Sequence, residues 1–192
     1  AVWLLMVIIL CAYVGYKFTD VFSLYAQDVM GYDQVKSAKV GTFLLFIRPI
    51  VGVTIGFLAD RSKITLWLFF SFVVSLIGSL FFASGLISES VVVLFILSTL
   101  IVATGVYAAR ALYFAVMKNG KIPLLLTGTA VGIISIIGYT PDIFAGPLMG
   151  FLLENSPGEQ GHRHVFLTLA CFSFIGSIAS WYYYRKFHKK SN

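Results

Sequence analysis

The stretch RPIVGVTIGFLAD, Arg48 to Asp60, sets an arginine and a proline inside an apolar run that ends in a carboxylate. At Asp142 to Glu154 the chain reads DIFAGPLMGFLLE, which shares G-x-x-x-G-F-L and a terminal carboxylate at a constant offset. Gly52 then aligns with Gly146, Gly56 with Gly150 and Asp60 with Glu154, while the cation Arg48 falls on the anion Asp142. Gly41-Thr42 and Gly128-Thr129 head the two runs, and SLIGS (Ser75 to Ser79) resembles SFIGS (Ser173 to Ser177). The common order of these matches points to one three-helix unit used twice, over about 1–88 and 89–186.

The flanking sequence decides the solvent. With 59% apolar and 11% charged residues and a mean hydropathy of +0.91, the 192-residue chain has too few polar groups to cover a water-facing surface. Its charges cluster between apolar runs of about 20 residues, each long enough to cross a hydrocarbon core roughly 30 Å thick. These runs predict six transmembrane helices at 2–26, 36–59, 64–86, 90–117, 122–153 and 164–185, forming one all-α domain over 1–192. The alternation of a transmembrane barrel is missing.

Basic residues are unevenly shared between the two ends of the bundle. Arg61, Lys63, Lys118, Lys121, Arg185, Lys186, Lys189 and Lys190 flank one end, and only Lys36, Lys39 and Arg163 the other. The positive-inside rule then puts both termini and the basic tail 185–192 in the cytoplasm, with Trp3, Trp67 and the Trp181 to Tyr184 cluster at that interface. The net charge of +6 reads as topology and attraction to anionic membrane lipid, with no nucleic-acid partner. Cys11 and Cys171 fall inside helices and read as small apolar core residues. A chain that begins at Ala1 without Met, and whose first helix is too long and uncharged at its start for a signal peptide, reads as a fragment.

Five charged side chains lie inside the spans away from their ends: Lys17, Asp20, Arg48, Arg110 and Asp142. Each would cost about 2.5 to 3.5 kcal/mol at the bilayer centre, on the order of 15 in total, so they are expected to face one another or water. Helices 3 and 6 carry no charge between their ends and are expected to form the outer, lipid-facing pair. Lys17 and Asp20, three residues apart, share a face and can neutralise each other. Arg48 stands near the midplane with Pro49, which frees a backbone carbonyl one turn back. Gly52 and Gly56 form a small-xxx-small face for close helix packing. Arg110 is expected to pair with Asp60. Pro141 and Pro147 bracket Asp142, so a bent helix around a buried carboxylate is expected there. His162 and His164 fall in a loop, 155–164, that reads as solvated and lacks a third metal ligand; no metal or cofactor is expected.

The segment GFLADR, Gly56 to Arg61, resembles the G-x-L-a-D-R core of the loop motif of the major facilitator superfamily, which joins the second and third helices of each six-helix half. It departs from that motif at Lys63 and Ile64, where a glycine and a basic residue usually stand. GPLMG, Gly146 to Gly150, is similar to the G-P-x-x-G centre of the family's fifth-helix motif. With six spans in inverted repeats, the resemblance covers all 192 residues and implies the C-terminal half of a twelve-helix secondary transporter in a bacterial inner membrane. Its partners would be the N-terminal six-helix half, a small anionic solute and protons. The branch it resembles groups sugar-acid, organophosphate and nitrate porters; the asparagine-containing glycine-rich stretch of nitrate porters is missing from helix 5.

In that setting Lys17 and Arg48 are expected to contact the anion, with Tyr13, Tyr16, Tyr113 and Tyr139 as hydrogen-bonding or stacking neighbours. Asp142, or else Asp20, is expected to carry the coupling proton. The resemblance gives Gly52, Gly56, Asp60, Arg61, Arg110, Gly146, Pro147 and Gly150 gating or structural roles. An enzyme is not expected, because His162, His164 and His188 all fall outside the spans and no H-E-x-x-H occurs. The alternative is a non-transporting structural or regulatory half, or one that associates with itself.

Overall fold

The computed structural model describes residues 2–120 and 124–188, and most of these are helical, with no strand among them. The elements are α1 (Val2–Phe18), α2 (Val21–Asp28), α3 (Gln34–Asp60), α4 (Ile64–Ala83), α5 (Val92–Leu112), α6 (Thr127–Gly138), α7 (Pro141–Asn155) and α8 (Glu159–His188). Short 3-10 turns at Ala115–Gly120 and Leu124–Leu126 lie between α5 and α6. Counting α1 with α2 and α6 with α7, six helical segments are long and apolar enough to cross a membrane. Lys121, Lys189 and Lys190, used above for orientation, lie outside the described residues, as do the side chains of Lys118 and His188.

Spans one and five are interrupted, each by a hydroxyl that competes for a backbone carbonyl. At Thr19–Asp20, between α1 and α2, Thr19 Oγ1 donates to the Tyr16 carbonyl at 2.7 Å. At Tyr139–Thr140, between α6 and α7, Pro141 has no N–H to give the Ile137 carbonyl, and Thr140 Oγ1 donates to it instead at 2.7 Å. The fourth span leaves α-helix at Leu112, five residues before the expected 117; the Val116 carbonyl beyond it accepts from the buried Tyr183 hydroxyl of α8 at 3.2 Å.

The sixth span starts earlier than its apolar run. It takes in 159–164, which the sequence suggested was a solvated loop. His162 is fully buried there, its Nε2 3.0 Å from Asp28 Oδ2 and its ring edge-on to Tyr25 at 5.2 Å. Arg163 donates to the carbonyls of Ala83 and Ser84, closing the end of α4.

Two hydrophobic clusters hold the bundle. One gathers Phe18, Phe22, Tyr25, Phe82, Phe95 and Phe166 at the end carrying Asp28. The other gathers Leu5, Ile8, Leu68, Leu112, Val116 and Tyr183 at the end carrying Asp60. Arg61 and Lys63 share that second end with the C-terminal aromatic residues, where Lys63 Nζ meets the Tyr184 hydroxyl at 3.3 Å. At the opposite end Asp33 caps α3 by accepting from the Lys36 N–H at 2.8 Å, which holds its carboxyl below the usual range.

Glycines separate the faces this chain uses from those it leaves bare. A Cβ on Gly105 would collide with the backbone of α4 at Ser71 and Ser75, and one on Gly176 with the Phe72 ring, so α4, α5 and α8 approach closely there. A Cβ on Gly52, Gly56, Gly146 or Gly150 would meet nothing within 4 Å. Among the described residues the small-xxx-small face expected to pack in α3 therefore meets no neighbour at its glycines, and neither does its counterpart in α7. In their most apolar stretches the second and fifth spans have 11% and 22% of residues buried, against 39% to 61% elsewhere. The third and sixth spans, expected to be the outermost, are better covered because α4 and α8 pack along each other. Cys11 is in the core, as expected, but Cys171 is exposed on α8.

Gly105→Val should lower stability by about 1 to 3 kcal/mol or more through overpacking between α4 and α5, whereas Gly52→Val in this chain alone should change it by less than about 0.5. Thermal unfolding in detergent checks the contrast.

Candidate functional site

Between the two hydrophobic clusters lies a polar layer. Lys17 Nζ is 2.7 Å from Asp142 Oδ1, which ties α1 to α7. The Tyr13 hydroxyl lies 2.9 and 3.1 Å from the two oxygens of the same carboxylate and donates to it. Asp142 is in the first turn of α7, just after the break and next to Pro141, where the helix dipole favours a negative charge. It is 44% exposed, not buried as expected. The Lys17–Asp20 pairing allowed by their spacing does not form, because Lys17 is engaged by Asp142 and Asp20 lies at the break.

Arg48 extends from α3 to donate through Nη1 to the Tyr16 hydroxyl at 2.7 Å, and its guanidinium lies 4.6 Å from the centre of that ring. Arg110, from the last turn of α5, packs 3.8 Å from the Tyr16 ring centre and 4.8 Å from that of Tyr13. Its buried Nη1 has no hydrogen-bond partner. The expected Arg110–Asp60 pair is not present: α5 turns Arg110 toward α1, while Asp60 is exposed at the end of α3. Arg61, beside it, packs over the Phe57 ring at 4.0 Å.

The tyrosines join these charges. Tyr139 stands edge-on to Tyr13, with ring centres 5.0 Å apart, and lies near the buried Tyr113. Lys17, Arg48, Asp142 and the four expected tyrosines thus meet in one layer, joined by Arg110. Asp60, Arg61 and the four glycines of the repeat lie outside it. Pro147 is exposed within α7.

Sequence reasoning missed Thr19, Ser23 and Tyr107. With Tyr16, Asp20, Gly41, Leu44, Leu45 and Arg48 they line a cavity of about 220 Å³ on the Asp28 side of Arg48. Tyr107 stands three residues before Arg110 and shares its helix face, a signal that was available. Among the described residues no group of His, Cys, Asp and Glu could hold a metal.

The fold and this intramembrane layer define a six-span α-helical membrane protein. Two relatives, both from Escherichia coli strain K12, are inner membrane proteins, which supports the same location here. Inner membrane protein YqcE is 26% identical over 169 residues, 86% of this chain and 40% of that protein. Inner membrane protein YihN is 40% identical over 75 residues, 39% of this chain and 18% of that protein. The chain spans less than half the length of these curated relatives. No family model and no solved structure matches it.

Removing either member of the Lys17–Asp142 pair strands the other charge at mid-depth. Lys17→Met and Asp142→Asn should each destabilise the chain, and the double variant should lose less stability than the sum of the two single losses. A double-mutant cycle on unfolding midpoints measures the difference, and simple additivity would contradict the pairing.

Proposed function

We propose that the chain is one six-helix half of a major facilitator superfamily secondary transporter, which moves a small anionic solute by alternating access coupled to protons. The observation that carries this reading is the mid-depth layer itself. Four charged side chains from spans one, two, four and five converge there, although each is costly in lipid, and the Asp142 carboxylate is partly exposed.

Further support comes from the bare glycine faces. Gly52, Gly56, Gly146 and Gly150 lie on the two least covered spans and have the form used for close helix approach in membranes, so a complementary half is the natural cover. The solute would meet Arg48 and draw Lys17 away from Asp142. A carboxylate that loses its cation in a low-dielectric site takes up a proton more readily, which links solute binding to proton binding. With both termini cytoplasmic, Asp60 and Arg61 would stand at the inner gate and affect rate more than selectivity.

In proteoliposomes containing the full-length gene product, Asp142→Asn should abolish proton-driven uptake and spare solute counterflow. Retention of proton-driven uptake would remove Asp142 from the mechanism. Asp60→Asn should slow turnover several-fold without reordering a panel of organic anions, phosphate esters and inorganic anions; a changed order of preference would refute the gate role.

The same bare faces also suit a second copy of this chain, the self-associating alternative. Cross-linking from α3 and α7 distinguishes the two: products joining two copies favour self-association, and products joining α3 and α7 to other helices of the gene product favour the two-half transporter.

A further inference from the structure

Along α8, Leu167, Cys171, Phe174, Ile178, Trp181 and Arg185 recur every three or four residues and so share one helix face. All six are exposed, with 42% to 54% of the surface bare for Leu167, Phe174, Ile178 and Trp181. The stripe from Trp181 down to Cys171 covers about 15 Å, half the thickness of a hydrocarbon core. An acyl chain of one leaflet has the same reach. Arg185 stands one turn beyond Trp181, at the Asp60 end of the bundle.

At that end α4 widens the face. The Phe69 ring centre lies 5.5 Å from that of Phe70 and 5.2 Å from that of Trp181, and the Trp181 and Tyr184 centres are 5.8 Å apart. Lys63, just ahead of α4, donates to the Tyr184 hydroxyl at 3.3 Å, with its ammonium 5.7 Å from the ring centre. That uses one of its three N–H donors and leaves two. Lys63 and Arg185 are both exposed, and neither meets a carboxylate: the ion pairs among the described residues are Lys17–Asp142, Lys36–Asp33 and His162–Asp28.

These features select an occupant that is anionic at the interface and apolar beneath it. A free phosphate would take the two cations and leave the stripe bare. A second copy of the chain, seated on the same face by a twofold axis, would bring Lys63 and Arg185 against their own counterparts, where like charges oppose the contact.

We infer that this face binds an anionic phospholipid, with its phosphodiester between Lys63 and Arg185, its glycerol backbone over Trp181 and an acyl chain along the stripe toward Cys171. Tryptophan and tyrosine suit that depth because each has an apolar body and a polar group that can hydrogen-bond. The bound headgroup joins the loop between α3 and α4 to the end of α8. Diffuse attraction to anionic lipid follows from net charge wherever the charge sits, whereas this site depends on two particular side chains. It stands independently of the transporter reading.

Fluorescence quenching reads lipid selectivity at the site. The full-length gene product, with Trp181 kept as its one tryptophan, is placed in bilayers of phosphatidylcholine and phosphatidylglycerol, one or the other carrying brominated chains that quench indole on contact. Phosphatidylglycerol should be preferred beside Trp181 by about threefold or more, within the roughly fivefold that one Lys or Arg at an anionic surface contributes. Lys63→Gln with Arg185→Gln should bring the preference to within about 1.5-fold, while Lys118→Gln with Lys121→Gln, which removes as much charge from the same end, should leave it at about twofold or more. Equal quenching by both lipids, a preference that survives loss of Lys63 and Arg185, or equal loss in the two double variants would each overturn the inference. Cross-linking through Cys171 to a second copy in the bilayer would give the face to that copy and overturn it as well. Should the single-tryptophan protein not fold, native mass spectrometry of the otherwise unaltered gene product should show a retained phosphatidylglycerol that Lys63→Gln with Arg185→Gln loses; its retention in that variant overturns the inference too.

Discussion

A charge held in hydrocarbon has to be answered from within the protein, and this chain answers four at one depth. The Lys17–Asp142 contact of 2.7 Å is the direct case. The two arginines are answered by aromatic faces and hydroxyls, a weaker form of neutralisation that leaves their positive charge in place. The hydrophobic core is organised around this layer. It is split into one cluster on each side, because apolar side chains that filled the mid-depth would leave those charges nowhere to go.

Both helix breaks border the layer. The one at Thr19–Asp20 presents Asp20 and Thr19 to the Arg48 cavity, and the one at Tyr139–Thr140 puts Asp142 at the start of a helix facing Lys17. Irregular backbone is tolerated at membrane depth where polar side chains or a cavity can satisfy it, and each break here carries its own hydroxyl for the purpose. The packing is correspondingly uneven. α4, α5 and α8 approach through Gly105 and Gly176 as a tight unit, while α3 and α7 rest on that unit with their glycines turned outward.

The six spans were legible because length and hydropathy alone mark a helix in a bilayer, and the convergence of Lys17, Arg48 and Asp142 followed from the cost of burying charge. What failed was direction around a helix axis. Depth along the span suggested Arg110 with Asp60, but the angular position of Arg110 on α5 points it at Tyr13 and Tyr16. Apolar content also hid where helix continues beyond the apolar run: the polar stretch Glu159 to His164 looks like a loop, yet it is the first turn and a half of α8 and buries His162 against Asp28. The Thr19 break has neither proline nor glycine to announce it, whereas Pro141 announced the other.

The break ahead of Asp142 is built from neighbours in sequence alone: Pro141 removes a donor, and the hydroxyl one residue earlier replaces it on the Ile137 carbonyl. Such a kink is portable. It asks nothing of any other helix, so the fifth span would bend in the same place as an isolated peptide in lipid. The presentation of the Asp142 carboxylate is therefore autonomous: surrounding protein decides which cation it meets, while the angle at which the chain offers it is written in residues 137 to 141.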